Sequence, residues 1–598
     1  MTIAALKKIS VLGPASEEAT ALEDLQALGC MHLLPLAPEP ERPEDASTRT
    51  AKDAYKALKF LTEVPDPRRQ VRRDPDFDIA AFIAEVLELQ QRIREARDKR
   101  DFLNARIAAV RPWGNLDFPP HDALAGQMLW FYQLPVKERA ALDEVALPWE
   151  IVARDTRSLF VVIIAPEEPP EDILPVPRTH TGSLPIHELD AEVEETEIAL
   201  EALEADRLAC TRYLTLMRAR MSEAESRAEL DFAHQQVLTD EAMFALQGWV
   251  PEDRVDEVNA LAESQGFAVL IEEPAFDETP PTLLEQPEER AAGVDLAMFY
   301  QVPGYRDWDP TVILVASFSL FFAMIVADAG YGLIIAGIVG AYWSRLGGTA
   351  HARSWRRLLA ILAAATLVYG VLVGSYLGFS PREGSLLAGL KIMSVDDFGT
   401  MMTLSIVIGV AHLVLGNVLA ARARWGRTVA YASLGWCAVL IGGLILWLAD
   451  SDAVSTLGIL TMVGGFGGVL AFTSERPIKD PIDWLWRGLD GLQGLAGAMG
   501  LFGDVLSYMR LFALGLASAS LAITFNDLAG QVREALPGLG VLLGLLIFLI
   551  GHVLNFGLAL MSGVVHGLRL NYMEFFKWGL SGEEGRPFRP LARKEIDA

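Results

Sequence analysis

Cysteine is nearly absent from this chain. Cys30, Cys210 and Cys437 are the only three in 598 residues. They lie far apart without metal-type spacing, which excludes a disulfide framework and a zinc site. The start, "MTIAALKKIS", lacks the apolar core and small-residue cleavage site of a signal peptide, so the N-terminal half is expected to stay in the cytoplasm. Positive charge is scarce in residues 1–300, which hold 30 Lys+Arg against 58 Asp+Glu, a net of −28. So acidic a surface excludes nucleic acid as a partner, because phosphate binding needs a basic face. It suits a solvated arm, or docking onto a basic partner. Charge of both signs is scarce in residues 301–598, with 21 basic against 20 acidic residues and nearly all the long apolar runs. The chain therefore divides into a soluble acidic half and an apolar half.

The acidic half reads as an arm over 1–300. "KKISVLG" is a short strand, "SEEATALEDLQALG" a helix ended by glycine and "MHLLPL" a second strand, giving a small α/β lobe within 1–60. Two charged helices with spaced apolar seams, 82–109 and 187–234, predict an antiparallel coiled-coil stalk. Between them 112–180 forms a lobe at the tip, with "LWFYQLP" and "SLFVVIIAP" as strands. A further α/β unit is expected over 235–275. Two ordinary surface helices are the plain alternative to a stalk.

From 301 to 580 the chain reads as a polytopic α-helical membrane domain. Spanning a bilayer takes roughly 20 apolar residues. Eight candidates lie near 310–327, 330–344, 357–378, 400–421, 429–449, 455–473, 491–526 and 539–576. The first two are short, joined by the tight "ADAGYG" turn, and form a hairpin; the last two are long, predicting tilt or projection beyond the bilayer. With the acidic half inside, the inner loops hold Arg345, Arg353, Arg356, Arg357, Arg422, Arg424, Arg427, Arg476, Lys479 and Arg487. The outer loops hold only Arg382, Lys391 and Arg533, an asymmetry that favours this orientation. The basic tail, 581–598, with Arg586, Arg589, Arg593 and Lys594, then also falls inside.

Glycines at 488, 491, 494, 497, 500 and 503 open the seventh span. Without prolines they make no collagen repeat; on a helix they form a small-residue surface that another helix can approach closely. Asp504, Ser507 and Arg510 follow, then the small residues Ala513, Ala517, Ser520 and Thr524. A permanent charge in mid-membrane costs roughly 2.5–3.5 kcal/mol on insertion scales. In the eighth span His552, Asn555, Ala559, Ser562, His566 and Arg569 are spaced 3, 4, 3, 4 and 3. They make one stripe about 25 Å long at 1.5 Å per residue. Asn571, Tyr572 and Glu574 fall off that stripe near its end. Intramembrane polar residues of this kind mark an ion path or, more blandly, hydrogen-bond helices together. The two arginines and two histidines favour the ion path. The isolated His412 reads as packing.

Taken in order, "LQGWVPEDRVDEV", "PPTLLEQP", "MFYQVPGYRDWDPT", "FFAMIVADAGYG", "LVYGVLVGSYLG", "LSIVIGVAHLVLGNVL", "DVLSYMRLFALGLAS" and "HGLRLNYMEFF" resemble one family along the whole chain. It is the membrane stator subunit of V-type and archaeal/bacterial A-type rotary ATPases, subunit a or subunit I. The resemblance implies that the last two spans clasp a rotating ring of small c/K-type membrane subunits, each with an essential carboxylate. Arg510 is then the stator arginine and Arg569 its second. Eukaryotic relatives carry a histidine where this chain has Ser518 and a glutamate where it has Ala559. The ion path must therefore use other groups. His552 and Asn555 are assigned to the outer half-channel, Asp504 and Glu574 to the cytoplasmic one, with Ser507, Ser562 and His566 along the path. The acidic arm is the collar that docks peripheral-stalk helices and the central-stalk cap subunit, and through them the V1/A1 head. No G-x-x-x-x-G-K-[ST] loop occurs in the sequence, so nucleotide chemistry is assigned to partner subunits. No cofactor or metal is expected. The resemblance places the protein in the inner (cell) membrane of a prokaryote, with both termini cytoplasmic. H+ or Na+ as the ion is left to the ring's site. Two rivals remain: a secondary transporter or channel with a large regulatory domain, although no inverted repeat is visible, and a scaffold without transport.

Overall fold

The computed structural model describes residues 3–36, 47–114, 124, 126–170, 172–179, 185–394, 397–476, 480–536, 538–582 and 584–594. Lys479 lies outside them. In chain order the elements are β1 (Leu6–Pro14), α1 (Glu18–Leu28), β2 (His32–Leu34), α2 (Ser47–Thr62), α3 (Ile79–Val110), β3 (Met128–Pro135), β4 (Trp149–Arg154), β5 (Ser158–Ala165), α4 (Ile186–Cys210) and α5 (Leu214–His234). There follow β6 (Leu238–Thr239), β7 (Met243–Pro251), α6 (Val255–Gln265), β8 (Ala268–Glu272), α7 (Ala291–Tyr300), α8 (Thr311–Val326), α9 (Ala329–Ala341), α10 (Ala350–Val373) and α11 (Leu386–Gly389). The last elements are α12 (Phe398–Ala423), α13 (Thr428–Trp447), α14 (Asp452–Phe472), α15 (Pro481–Leu495), α16 (Gly497–Ser507), α17 (Met509–Ala535) and α18 (Leu539–Arg569). The chain is mainly α, with its strands confined to the N-terminal half.

One compact unit runs from Ala37 to Gln236 and takes in the last residues, Ala592–Ala598. Here α3 and α4 lie antiparallel: Leu103 and Ile107 pack on Leu189 near one end, and Ile83 and Val86 lie in the same core as Leu203 and Met217 towards the other. Helix α2, unread in the sequence, adds Ala57, Leu58 and Leu61 to that core. At the tip β3, β5 and β4 form an antiparallel three-stranded sheet over Trp130, Leu134, Val161 and Ile163.

The other unit joins Met1–Leu36 to Val237–Leu591. The two α/β segments expected to be separate lobes are one sheet of order β2-β7-β1-β8, with β6 on β7. β1 pairs antiparallel with both β7 and β8, with Ile9 opposite Gly248 and Ile271. A single strand this apolar needs cover on both edges, and only the distant segment supplies it. The C-terminal tail lies along the same unit: Thr282 N–H donates to Arg586 O, Phe588 N–H to Thr282 O and Leu591 N–H to Met31 O.

Among the described residues, six helical stretches are long and apolar enough to cross a membrane: α10, α12, α13, α14, the run Ile482–Ala535 and the run Leu539–Gly579. The count of eight is therefore corrected. With 16 and 13 residues, α8 and α9 rise only about 24 and 20 Å, short of the roughly 30 Å of hydrocarbon. They meet at Ala327, whose φ of 50° is left-handed and breaks the helix. Asp328 then caps α9 through the Tyr331 N–H. Contact with α10 is backbone to backbone: a Cβ on Gly370 would stand 2.1 Å from Ala329 N. The glycine run packs only in part: a Cβ on Gly491 would meet Leu470 O at 2.2 Å, whereas Gly488 and Gly503 face open space.

Candidate functional site

Two polar clusters lie along α17 and α18. The first is built where α18 passes the α8–α9 hairpin. Asn555 is buried, and its Nδ2 donates to Ser518 O at 2.8 Å and to the Tyr331 hydroxyl at 3.0 Å. The Tyr331 hydroxyl lies 2.9 Å from His552 Nδ1, and His552 Nε2 lies 2.9 Å from Asn526 Oδ1. Asn526 Nδ2 donates to Leu377 O at 2.8 Å. Behind Tyr331, Asp328 accepts from the Tyr331, Leu377 and Gly378 N–H groups and from the Ser375 hydroxyl, 2.6 to 3.1 Å away. Ser518 takes part through its carbonyl, which any residue type supplies.

The second cluster forms where α18 ends. Residues Leu570–Phe575 continue it as a π-helical turn, whose wider winding differs from the 3.6-residue period. Leu570, Asn571, Tyr572, Glu574 and Phe575 are all buried there, more than one α-helical face could hide. Glu574 is thereby turned inward, 4% exposed, with Oε1 3.9 Å from Arg510 Nη1. Ser507 lies beside the same carboxylate. Arg510 Nη1, Glu574 Oε2 and His566 Nδ1 are buried without a hydrogen-bond partner. Next to them the Ser317 hydroxyl donates to Asn571 Oδ1 at 2.5 Å, and the Tyr572 hydroxyl to Leu296 O at 2.6 Å.

The predicted residues thus divide. His552 and Asn555 sit together in the first cluster; Ser507, Arg510 and Glu574 sit together in the second. Asp504 stands apart from Glu574's carboxylate in its bonding: it accepts from Lys577 Nζ at 2.8 Å and Trp578 Nε1 at 2.7 Å. Ser562 and His566 lie between the clusters at the edge of the exposed face, and Arg569 is exposed. The polar stripe of α18 is therefore not buried as one line: His552, Asn555 and Ala559 are buried, but further on Gly563 and Gly567 take the inward positions. On α17 Ala513, Ala517, Ser520 and Thr524 are exposed, continuing from Arg510 as a smooth face.

Sequence reading missed Tyr331, Asp328 and Asn526. A carboxylate inside "FFAMIVADAGYG" was the available signal for the first two, since a charge in an apolar run needs partners. His412 is packed as expected. Its ring stacks on Phe575 at 4.0 Å and its Nδ1 lies 2.8 Å from the Tyr508 hydroxyl.

These features define a polytopic membrane protein with an arginine, within an apolar helical run, on the border of an exposed helix face, joined to an acidic N-terminal half. The chain is similar in sequence to several ATP synthase subunits I. The chain is 26% identical over 603 residues to the V-type ATP synthase subunit I of Chlamydia pneumoniae, covering 87% of each. It is 24% identical over 617 residues to V-type ATP synthase subunit I 1 of Treponema pallidum, covering 96% of this chain and 97% of that one. To the A-type ATP synthase subunit I of Pyrococcus horikoshii it is 31% identical over 372 residues, 59% of this chain and 54% of the relative. The solved cytoplasmic N-terminal domain of a subunit I, homologous to subunit a of V-ATPase, matches 44% of the chain at 16% identity with a TM-score of 0.24, too slight a likeness to bear on the fold. No family model matches. The chain is related to V-type ATP synthase subunit I along nearly its whole length, and to A-type ATP synthase subunit I over more than half of it.

Proposed function

We propose that this protein is the membrane stator subunit of a V/A-type rotary ATPase, carrying H+ or Na+ between two half-channels and a rotating ring of small subunits, and so coupling ion flow to ATP hydrolysis or synthesis elsewhere in the complex. The observation that carries this reading is Arg510 beside an exposed stripe of small residues on α17. A ring carboxylate must be neutral to face lipid, because an exposed charge there is expensive. Opposite Arg510 the ionised form is favoured, so each ring site releases its ion there, and the fixed charge blocks a direct leak.

In this reading His552 and Asn555, with Tyr331 and Asn526, belong to the outer half-channel. Glu574 and Ser507 line the cytoplasmic one, with Asp504 at its mouth and Ser562 and His566 between the two. Arg569 is the second stator arginine. The N-terminal half is a cytoplasmic collar arm over 1–300 that meets peripheral-stalk helices and the central-stalk cap. The membrane is the inner membrane of a prokaryote, with both termini inside.

Two measurements separate this from a free-standing transporter. The solubilised chain should co-purify with soluble ATPase subunits, and reconstituted alone in liposomes it should carry no ion. Transport by the chain alone contradicts the stator reading. Full transport after His552→Leu removes His552 from the path.

A further inference from the structure

With His552 neutral, the hydrogen bonds around Tyr331 admit one assignment of protons. Two backbone carbonyls fix it, because a carbonyl only accepts. Leu377 O requires Asn526 to present Nδ2 to it, so Asn526 Oδ1 faces His552, and His552 Nε2 must donate. Ser518 O likewise requires Asn555 Nδ2, which donates its second proton to the Tyr331 oxygen. The Tyr331 O–H therefore points at His552 Nδ1, which accepts. The neutral His552 ring thus carries its proton on Nε2. The charged group beside this dyad is Asp328, whose two oxygens accept four hydrogen bonds already. Tyr331 and Asp328 come from the α8–α9 hairpin, Asn526 from α17, and Phe548 packs on His552 from α18 itself.

We infer that Tyr331 is a positioning residue for ion entry: it is the one port through which His552 takes and returns a proton. This rests on the stator reading. His552 Nε2 is tied to an amide oxygen, which cannot pass a proton on, so exchange runs through Nδ1. An incoming proton binds the Tyr331 oxygen as the hydroxyl's own proton moves to Nδ1. The dyad then holds one extra proton and one positive charge, with tyrosine and imidazolium both intact. The return step reverses this. In the loaded state both Asn555 and the imidazolium donate to Tyr331, so its O–H turns away from both. Neutral oxygens and an imidazole, with the nearby carboxylate fully occupied, suit a proton and not Na+, which requires a shell of oxygens.

The test uses the assembled complex in sealed vesicles, reading ATP-driven proton uptake against lumenal pH, the side on which the outer half-channel then opens, beside ATP hydrolysis. Tyr331→Phe removes the port; His552→Gln keeps an acceptor for Tyr331 but binds no proton. Each should lower uptake on the order of 10²-fold while assembly and hydrolysis persist. The double variant should be no worse than either single one, as groups acting as a unit are not additive. In His552→Gln the pH dependence due to the dyad should vanish, which covers the case in which Tyr331→Phe does not assemble. Additive losses, uptake near wild type in Tyr331→Phe, or Na+ uptake without proton uptake in the unaltered complex would overturn the inference. Arg510→Ala in the same vesicles tests the stator reading separately: if it stops uptake while Tyr331→Phe does not, only the inference about Tyr331 falls.

Discussion

Around Tyr331, the side chains of Tyr331, Asp328, Asn526, His552 and Asn555 leave no buried atom unpartnered. Around Arg510, three buried atoms on Arg510, His566 and Glu574 have none. Leaving a buried polar atom unmade costs about 1–3 kcal/mol, so the first cluster is built to hold its shape and the second is under-satisfied. The closed cluster lies where the hairpin covers α18. The open one borders the exposed face of α17, which none of the described residues covers. The contrast separates a cluster whose hydrogen bonds close on themselves from one whose buried polar atoms are left without partners.

Glu574→Gln would sharpen that contrast most. It leaves Arg510 without its buried counter-charge and should lower the stability of the solubilised complex by about 3 kcal/mol, read by thermal unfolding. An unchanged midpoint would mean the 3.9 Å pair is incidental. Asn555→Leu opens the closed cluster, stranding Ser518 O and one bond to Tyr331, and should cost about 2 kcal/mol by the same measurement. No loss would show that the cluster is not closed as described.

Away from the membrane helices, the tail offers a smaller, pH-dependent effect. His32 Nδ1 accepts from the Arg589 N–H at 2.9 Å, and Phe588 stacks near its ring. Burial holds the His32 pKa below the usual 6.5, favouring the neutral ring that this bond needs. Its contribution is present above pH 6.5 and is lost as pH falls from there through the depressed folded value. Hydrogen exchange at Phe588 to Leu591 should therefore rise in that window, and His32→Asn should flatten the change. Smallest of all, Lys99→Ala removes a half-exposed ion pair with Glu192 between α3 and α4 and should shift stability by less than about 1 kcal/mol.

Much of this was legible in the sequence, and what was not had physical reasons. The apolar runs, the acidic half and the periodicity of α3 and α4 follow from local pattern, and the structure has them. The stripe from His552 to Arg569 was read by assuming one α-helical period. His552 and Asn555 do share a buried face, but Ser562 and His566 are half-buried and Arg569 exposed, and the π turn brings Glu574 inward off that period. Tyr331, Asp328 and Asn526 reach the site from elements far away in sequence, which no local spacing reveals. The same holds for β1, which pairs with β7 and β8 more than 200 residues on. Two separate lobes were the natural reading of two strand–helix–strand patterns, because long-range strand pairing leaves no mark in either one. The hairpin of α8 and α9 was visible as apolar, yet too short to span, and its left-handed break at Ala327 is a conformation that alanine rarely announces.

The central claim is that Arg510 acts as a fixed charge for a carboxylate brought by a partner. It is tested most directly by Arg510→Ala in the assembled complex in sealed vesicles, with ion uptake and ATP hydrolysis recorded together. The account predicts that uptake is abolished while the complex still assembles. Uptake near wild type would make Arg510 a structural residue and contradict the account.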